Sequence, residues 1–356
     1  MNTEIKTGII FGGIIITGIV FLMIMFTGLD ELTISNQELG TKKAPNLVGI
    51  AHYLNTTPEE LAKKMENKVV LYDIWTYSCI NCIRTLPFIT SWDEKYSDQG
   101  LLIVGIHSPE FEFEKDPQNV KIAIEKYGIT YPVVMDNDMK TWKAFENNYW
   151  PRKYIADHEG YIRYDHIGEG GYQETEKIIQ QLLKERSTNI GIQFAPTSSL
   201  VDIKEFEHTN FRTPELYFGY KFAQNRNQLG SQEGFQPGKI VTYLDQSNIE
   251  LHKFYLTGEW KNNKDSMELI SETGTIKLLY NAKEVNIVTD NNAELEIFLD
   301  EHPLPSEYAG KDTTDKGIIV SEAGLYNIIN SENSASHQME IKITGKGFQM
   351  FTFTFG

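Results

Sequence analysis

The two cysteines of this 356-residue chain, Cys79 and Cys82, stand one helical turn apart in "WTYSCINCIRTLPF", residues 75–88. Two thiols at this spacing predict dithiol–disulfide exchange. The residues before them, "KVVLYDIW", form a buried-strand run, and Cys79 to Gln99 reads as a helix. A strand feeding a helix sets the Cys79 sulfur against free backbone N–H groups at the positive end of the helix dipole, where a thiolate is stabilised. Cys82, one turn on and shielded, is placed to attack the mixed disulfide that Cys79 would form with a substrate.

Neighbouring residues extend the pattern. Asp73 lies six positions before Cys79 in an apolar strand. Burial raises a carboxyl toward the range of a working proton carrier, so Asp73 is expected to take the proton of Cys82. Pro87, five after Cys82, falls inside the helix, where it removes a hydrogen bond and bends the axis. A cis Trp150–Pro151 bond ahead of "RKYIADHEG" would turn the backbone toward the cysteines and offer an edge to an extended substrate. Glu110, in "SPEFEFE", is a weaker candidate for a second acid at the mouth of the site, acidic loops being usually solvated. Trp75 reads as packing beneath the site and Arg84 as an exposed helix residue.

Other chemistries fit less well. A structural zinc site needs two further cysteine or histidine ligands at regular spacing, and the sequence has no second pair, so neither metal nor cofactor is expected. Thr76 in "TYSC" also fits the Thr-x-x-Cys of a peroxiredoxin site. The proline that such sites place four residues before the threonine is Tyr72 here, and a resolving cysteine three residues away suits thiol exchange better. Thiol peroxidase is therefore the second reading.

The elements that must hold the pair alternate between Lys68 and Arg186, strand with helix, which predicts a mixed sheet covered on both faces. From Ser187 the texture loosens into Ser, Thr, Asn and Gly, and beyond Glu205 short alternating runs such as "FYLTGEW" and "AELEIFLD" predict an antiparallel jelly-roll sandwich. At the front, 23 consecutive uncharged residues separate Lys6 from Asp30, enough to cross a bilayer as one helix. The expected organisation is a cytoplasmic stub 1–7, a membrane anchor 8–28, a linker 29–46, an α/β domain 47–186, a linker 187–204 and a β-domain 205–356. Lys6 before the span and Asp30 and Glu31 after it put the folded part outside the cytoplasm. With 49 acidic against 33 basic residues, net charge −16, the chain would repel nucleic acid.

Asp73, Trp75, Cys79, Cys82 and Pro87 match in order and spacing the site run of the thioredoxin-like superfamily, and Pro151, Tyr154, Ile155, Asp157 and Gly160 match its cis-proline segment. "SPEFEFEKD", "YWPRKY" and "GEGGYQETE" further resemble the exported carboxy-terminal half of DipZ-type disulfide interchange proteins. That resemblance implies Cys79 as nucleophile, Cys82 as resolving thiol, Asp73 as buried acid/base and Pro151 as cis-proline, acting on exported protein disulfides or thiols. It also implies a carbohydrate-binding-like second domain, in which Tyr217, Tyr220 and Trp260 are the aromatics that could stack on a glycan, although strand aromatics more often pack a core. DipZ-type proteins carry a multi-helix membrane electron-transfer domain where this chain has one apolar span, so a separate membrane electron donor is expected. Ile80 and Asn81, between the cysteines, replace the Gly-Pro of thioredoxin and tune the potential.

Overall fold

The computed structural model describes residues 40–193, 199–207, 212–223 and 225–356. The expected span at 8–28 lies outside them, and no helix among the described residues is long and apolar enough to cross a membrane.

Ahead of the expected alternation come β1 (His52–Leu54) and α1 (Pro58–Met65). Thr57 caps α1 by accepting from Glu60 N while the Glu60 side chain accepts from Thr57 N, a reciprocal capping box. There follow β2 (Val69–Trp75), α2 (Ile80–Tyr96), β3 (Leu101–His107), α3 (Pro117–Lys126), β4 (Val133–Met135), α4 (Lys140–Ala144), β5 (Arg152–Ala156), β6 (Ile162–Ile167) and α5 (Tyr172–Ile190). The sheet order is β1-β4-β3-β2-β5-β6, with β2 parallel to β3 and antiparallel to β5. Every residue of β2 is buried, as a strand covered on both faces requires. Alternation sends Val69, Leu71 and Trp75 into the layer of α2, α3 and α5, and Val70, Tyr72 and Ile74 into the opposite core with Trp142 and Tyr154. Asp73 shares the parity of Trp75 and so points into the layer that contains Cys82.

Both expected linkers turn out to be partly structured. Residues 40–46 bond to the β5–β6 hairpin, with Gly40 N donating to Ile162 O and Ala44 N to Gly160 O. Helix α5 runs through Ile190 rather than stopping near Arg186, and Gly191, in the left-handed region that favours glycine, caps it. Beyond it, Val201 and Ile203 return to the first core, and Val201 N donates to Glu176 Oε2 at 2.8 Å.

The second unit contains β7 (Leu216–Tyr217), α6 (Tyr220–Ala223), β8 (Ile240–Tyr243), β9 (Phe254–Asn262), β10 (Met267–Leu269), β11 (Thr273–Asp290), β12 (Ala293–Leu299), β13 (His302–Pro303), β14 (Ile318–Val320), β15 (Gly324–Thr344) and β16 (Gln349–Phe355). All these strands pair antiparallel. The long β11 and β15 lie side by side, and β11 pairs with β9 along its first half and β16 along its second. Two aromatics considered for sugar stacking face inward: Trp260 is fully buried with Nε1 donating to Thr257 O, and Tyr217 is 7 % exposed. Tyr220 is partly exposed at the start of α6.

The two units are packed together. Phe111 and Phe113, from the loop after β3, lie 5.1 and 4.7 Å from the Phe351 ring of β16, centroid to centroid, and Phe111 meets Phe222 at 5.7 Å. Arg84, expected on an exposed face, has a side chain only 10 % exposed. Its Nη2 donates to Glu284 Oε2 at 2.5 Å and its guanidinium lies 3.5 Å from the Phe206 ring centroid, so this arginine belongs to the contact between units.

Candidate active site

Cys79 is the N-cap of α2, with φ −80° and ψ 115°, and the Cys82 backbone N–H donates to its sulfur at 3.4 Å. Both thiols are free; Cys79 is half-buried and Cys82 buried. Burial, reinforced by the hydrogen bond and charge of Cys79, pushes the Cys82 thiol well up. The geometry separates an accessible sulfur at a helix N-terminus from a protonated, shielded one a turn later.

The loop that carries Cys79 is held from below by Glu114, a residue that no motif singles out. Thr76 Oγ1 and Ser78 Oγ both donate to Glu114 Oε1 at 2.5 Å, while the backbone N–H groups of Glu110 and Phe111 donate to Oε2 at 2.6 and 2.9 Å. Four donors on one buried carboxylate tie the end of β2 to the loop after β3. Burial pushes Glu114 up and the four bonds oppose that rise. Glu114→Gln would turn one acceptor into an N–H group facing other donors. It is expected to cost at least about 2 kcal/mol, at roughly 1–3 kcal/mol per orphaned buried donor, read as a lower thermal unfolding midpoint.

Asp73 is buried in β2 with Oδ1 lacking a hydrogen-bond partner. Burial raises its pKa to about 7 against the pull of Lys153. Lys153 stands directly opposite in the β2–β5 register and is likewise buried, with Nζ donating to Gly168 O at 3.2 Å. Burial lowers Lys153 to about 8, opposed by the charges of Asp73 and Cys82. An acid, a base and a thiol, none solvated, therefore share one layer beneath Cys79, each sensitive to the protonation of the others. Lys153 escapes sequence reading because "PRKYIAD" looks like an edge hairpin, whereas β5 is buried throughout.

Residues 40–183 match the family model described as Redoxin, and residues 213–356 the one described as Thioredoxin like C-terminal domain. Over 143 residues, 40 % of this chain and 94 % of the relative, the sequence is 34 % identical to the thiol-disulfide oxidoreductase YkuV of Bacillus subtilis. The chain belongs to the thioredoxin-like thiol-disulfide oxidoreductases. Protein DipZ of Mycobacterium bovis is 33 % identical over 357 residues, covering 99 % of this chain and 48 % of DipZ, so the chain spans about half the length of that relative. The solution structure of a thioredoxin-like protein in the oxidized form is 32 % identical, with a TM-score of 0.37, over 40 % of this chain and 96 % of that one.

The remaining residues singled out in the oxidoreductase sequence take these places. The Trp150–Pro151 peptide is cis, and Trp150 Nε1 donates to Ser108 O at 2.9 Å, anchoring the segment to the end of β3. Trp75 is buried, with its ring edge-on to His107 at 5.3 Å. His107 is lowered to about 3 by burial, which keeps it neutral. Pro87 lies inside α2. The hydroxyl of Thr76 is buried and donates its hydrogen to Glu114. Glu110 reaches a cleft of about 370 Å³ between the two units, whose walls include Cys79 and Trp150 from the first and Arg212, Glu215 and Tyr217 from the second. Among the described residues no group of three or more His, Cys, Asp or Glu is arranged to hold a metal ion.

Proposed function

We propose that this protein reduces or interchanges disulfides of exported proteins, with Cys79 as nucleophile, Cys82 as resolving thiol and Asp73 as proton acceptor. The observation that carries the reading is the Cys79 sulfur held at the start of α2 by the Cys82 N–H, in the layer where Asp73 has an unpartnered carboxyl oxygen. In the first step the Cys79 thiolate attacks one sulfur of a substrate disulfide, a Cys79–substrate S–S bond forms, and the other substrate sulfur leaves with the bonding pair. In the second, Cys82 gives its proton to Asp73 and attacks Cys79, closing the Cys79–Cys82 disulfide and expelling the second substrate sulfur. Two electrons pass from protein to substrate. Trp150, joined to Pro151 by the cis peptide, lines the cleft where an extended substrate would lie.

The same reading divides the chain into the domains 47–186 and 205–356, takes the second as a jelly roll, and makes residues 8–28 a membrane anchor with the domains outside the cytoplasm and a membrane partner as electron donor. The uncharged run between Lys6 and Asp30 supports the anchor. With Tyr217 and Trp260 buried, the second domain is better suited to walling the redox cleft than to stacking sugars.

The test is dithiothreitol-driven reduction of insulin run beside consumption of hydrogen peroxide. Accelerated insulin precipitation with peroxide consumption no faster than that of free cysteine is expected. Fast peroxide turnover without insulin reduction would move the assignment to thiol peroxidase.

A further inference from the structure

In the cleft that holds Cys79, one tyrosine of the second unit joins carboxyls from both units. Tyr217 Oη lies 3.0 Å from Glu110 Oε1 and 2.8 Å from Glu215 Oε2. A phenol has one hydrogen and can donate it to one of the two. The other oxygen, also at hydrogen-bonding distance, needs a hydrogen of its own, and a protonated carboxyl is the group there that can supply it. Three oxygens thus hold two hydrogens, and the cluster carries one negative charge instead of two.

The arrangement is built rather than incidental. Gln228 fixes the strand, its Oε1 accepting from Tyr217 N at 3.0 Å and its Nε2 donating to Glu215 O at 2.7 Å. The Tyr217 ring is stacked on Phe222 at 5.3 Å and covered by the Arg226 guanidinium at 4.9 Å. The charged groups facing the cluster are Glu114 behind Glu110, Arg226 near both carboxyls, and Arg212 beside Glu215. Burial, then the charges of Glu215 and Glu114, pushes Glu110 well above the usual carboxylate range, and burial raises Glu215 against the pull of Tyr217 and the two arginines. Through Tyr217, Glu110 meets a second acid across the contact between units, in the cleft that the half-buried Cys79 also lines.

Resting on the exchange reaction above, we propose that Glu110, Tyr217 and Glu215 form a proton-bearing cluster, completed by the second unit, that protonates the substrate sulfur expelled by Cys79. As the Cys79–substrate bond forms and the substrate S–S bond breaks, the departing sulfur takes the bonding pair and then the shared hydrogen. The cluster is left doubly charged and regains a proton from solvent. The Cys82 proton goes separately to Asp73, so no oxidant or reductant beyond dithiol and disulfide enters. The second unit is thereby part of the reaction site.

The test compares two anionic disulfides under single turnover with the reduced full chain. Glutathione disulfide expels an alkyl thiolate that needs a proton, whereas 5,5′-dithiobis(2-nitrobenzoate) expels an aryl thiolate that does not. In Glu215→Gln, and independently in Tyr217→Phe, which keeps the ring, the ratio of the glutathione rate to the aryl rate should fall on the order of 10²-fold, the usual scale of general-acid help. Equal losses with both reagents would mean a structural role and overturn the proposal, as would an unaltered ratio in both variants. Failure of the exchange reading looks different: both reactions would survive Cys79→Ser, and both proposals would fall together.

Discussion

Cys79→Ser abolishes insulin reduction, by on the order of 10³-fold or more, while Cys82→Ser turns the protein into a trap that accumulates thiol-sensitive adducts through Cys79. Removing a nucleophile on which every later step depends commonly costs this much. The two variants differ because the two sulfurs are held differently. Cys79 is half-exposed at the helix start and needs nothing from Cys82 to attack except the backbone N–H, which a serine at position 82 keeps. The resolving attack needs the Cys82 sulfur itself. Mass spectrometry of Cys82→Ser incubated with an oxidised protein should show one substrate mass per chain, released by dithiothreitol. Adducts forming equally on Cys79→Ser would reverse the assignment of roles.

Asp73→Asn raises stability at pH 8 while slowing resolution. Asp73 titrates at about 7 in the fold against an ordinary value of 3.8, because burial penalises its charged form. For an acid raised in this way, the favourable contribution is complete below the ordinary value. It is lost progressively from there as pH climbs through about 7, a difference of roughly 4 kcal/mol by pH 8. Asparagine keeps the shape and cannot ionise. The variant should therefore exceed the native protein in unfolding free energy by about 2–4 kcal/mol at pH 8 and differ little at about pH 3.5, below the ordinary carboxyl value. The lower end of that range reflects Lys153, which loses the charge that opposes its own burial. Without a proton acceptor, release of substrate from the mixed disulfide should slow by about 10²–10⁴-fold, seen in single turnover. Denaturant unfolding at the two pH values decides: an equal change at both would show that Asp73 is not ionising in the buried site.

Much of the site was legible because its essential spacing is local. An apolar strand, an aspartate within it, two cysteines a turn apart and a proline inside the following helix are all set within nineteen residues, Val69 to Pro87, so strand parity and helix geometry place them without long-range information. The supports were not legible, since they arrive from far along the chain. Glu114 reaches Ser78 across 36 positions, Tyr217 reaches Glu110 across 107 and Arg84 reaches Glu284 across 200. Charged residues alternating with aromatics in "SPEFEFE" look like a solvated loop. Once the second unit covers that loop, the phenylalanines become an interface and Glu114 a clamp. Lys153 was hidden for a related reason: pattern marks a hairpin, but only the sheet order, with β5 between β2 and β6, shows that this lysine is interior. The same principle corrected Trp260, where alternation gives two faces of a strand and not which one meets the core.

The most direct test of the central claim is to equilibrate the protein with glutathione buffers of graded potential and count free thiols with a mass-tagged alkylating reagent. Cys79 and Cys82 should disappear together in one two-electron transition, as an intramolecular disulfide, with a midpoint between about −270 and −120 mV, the span from thioredoxin to the strong oxidants. Two thiols persisting through the most oxidising buffer, or a glutathione adduct on Cys79 with Cys82 still free, would contradict it.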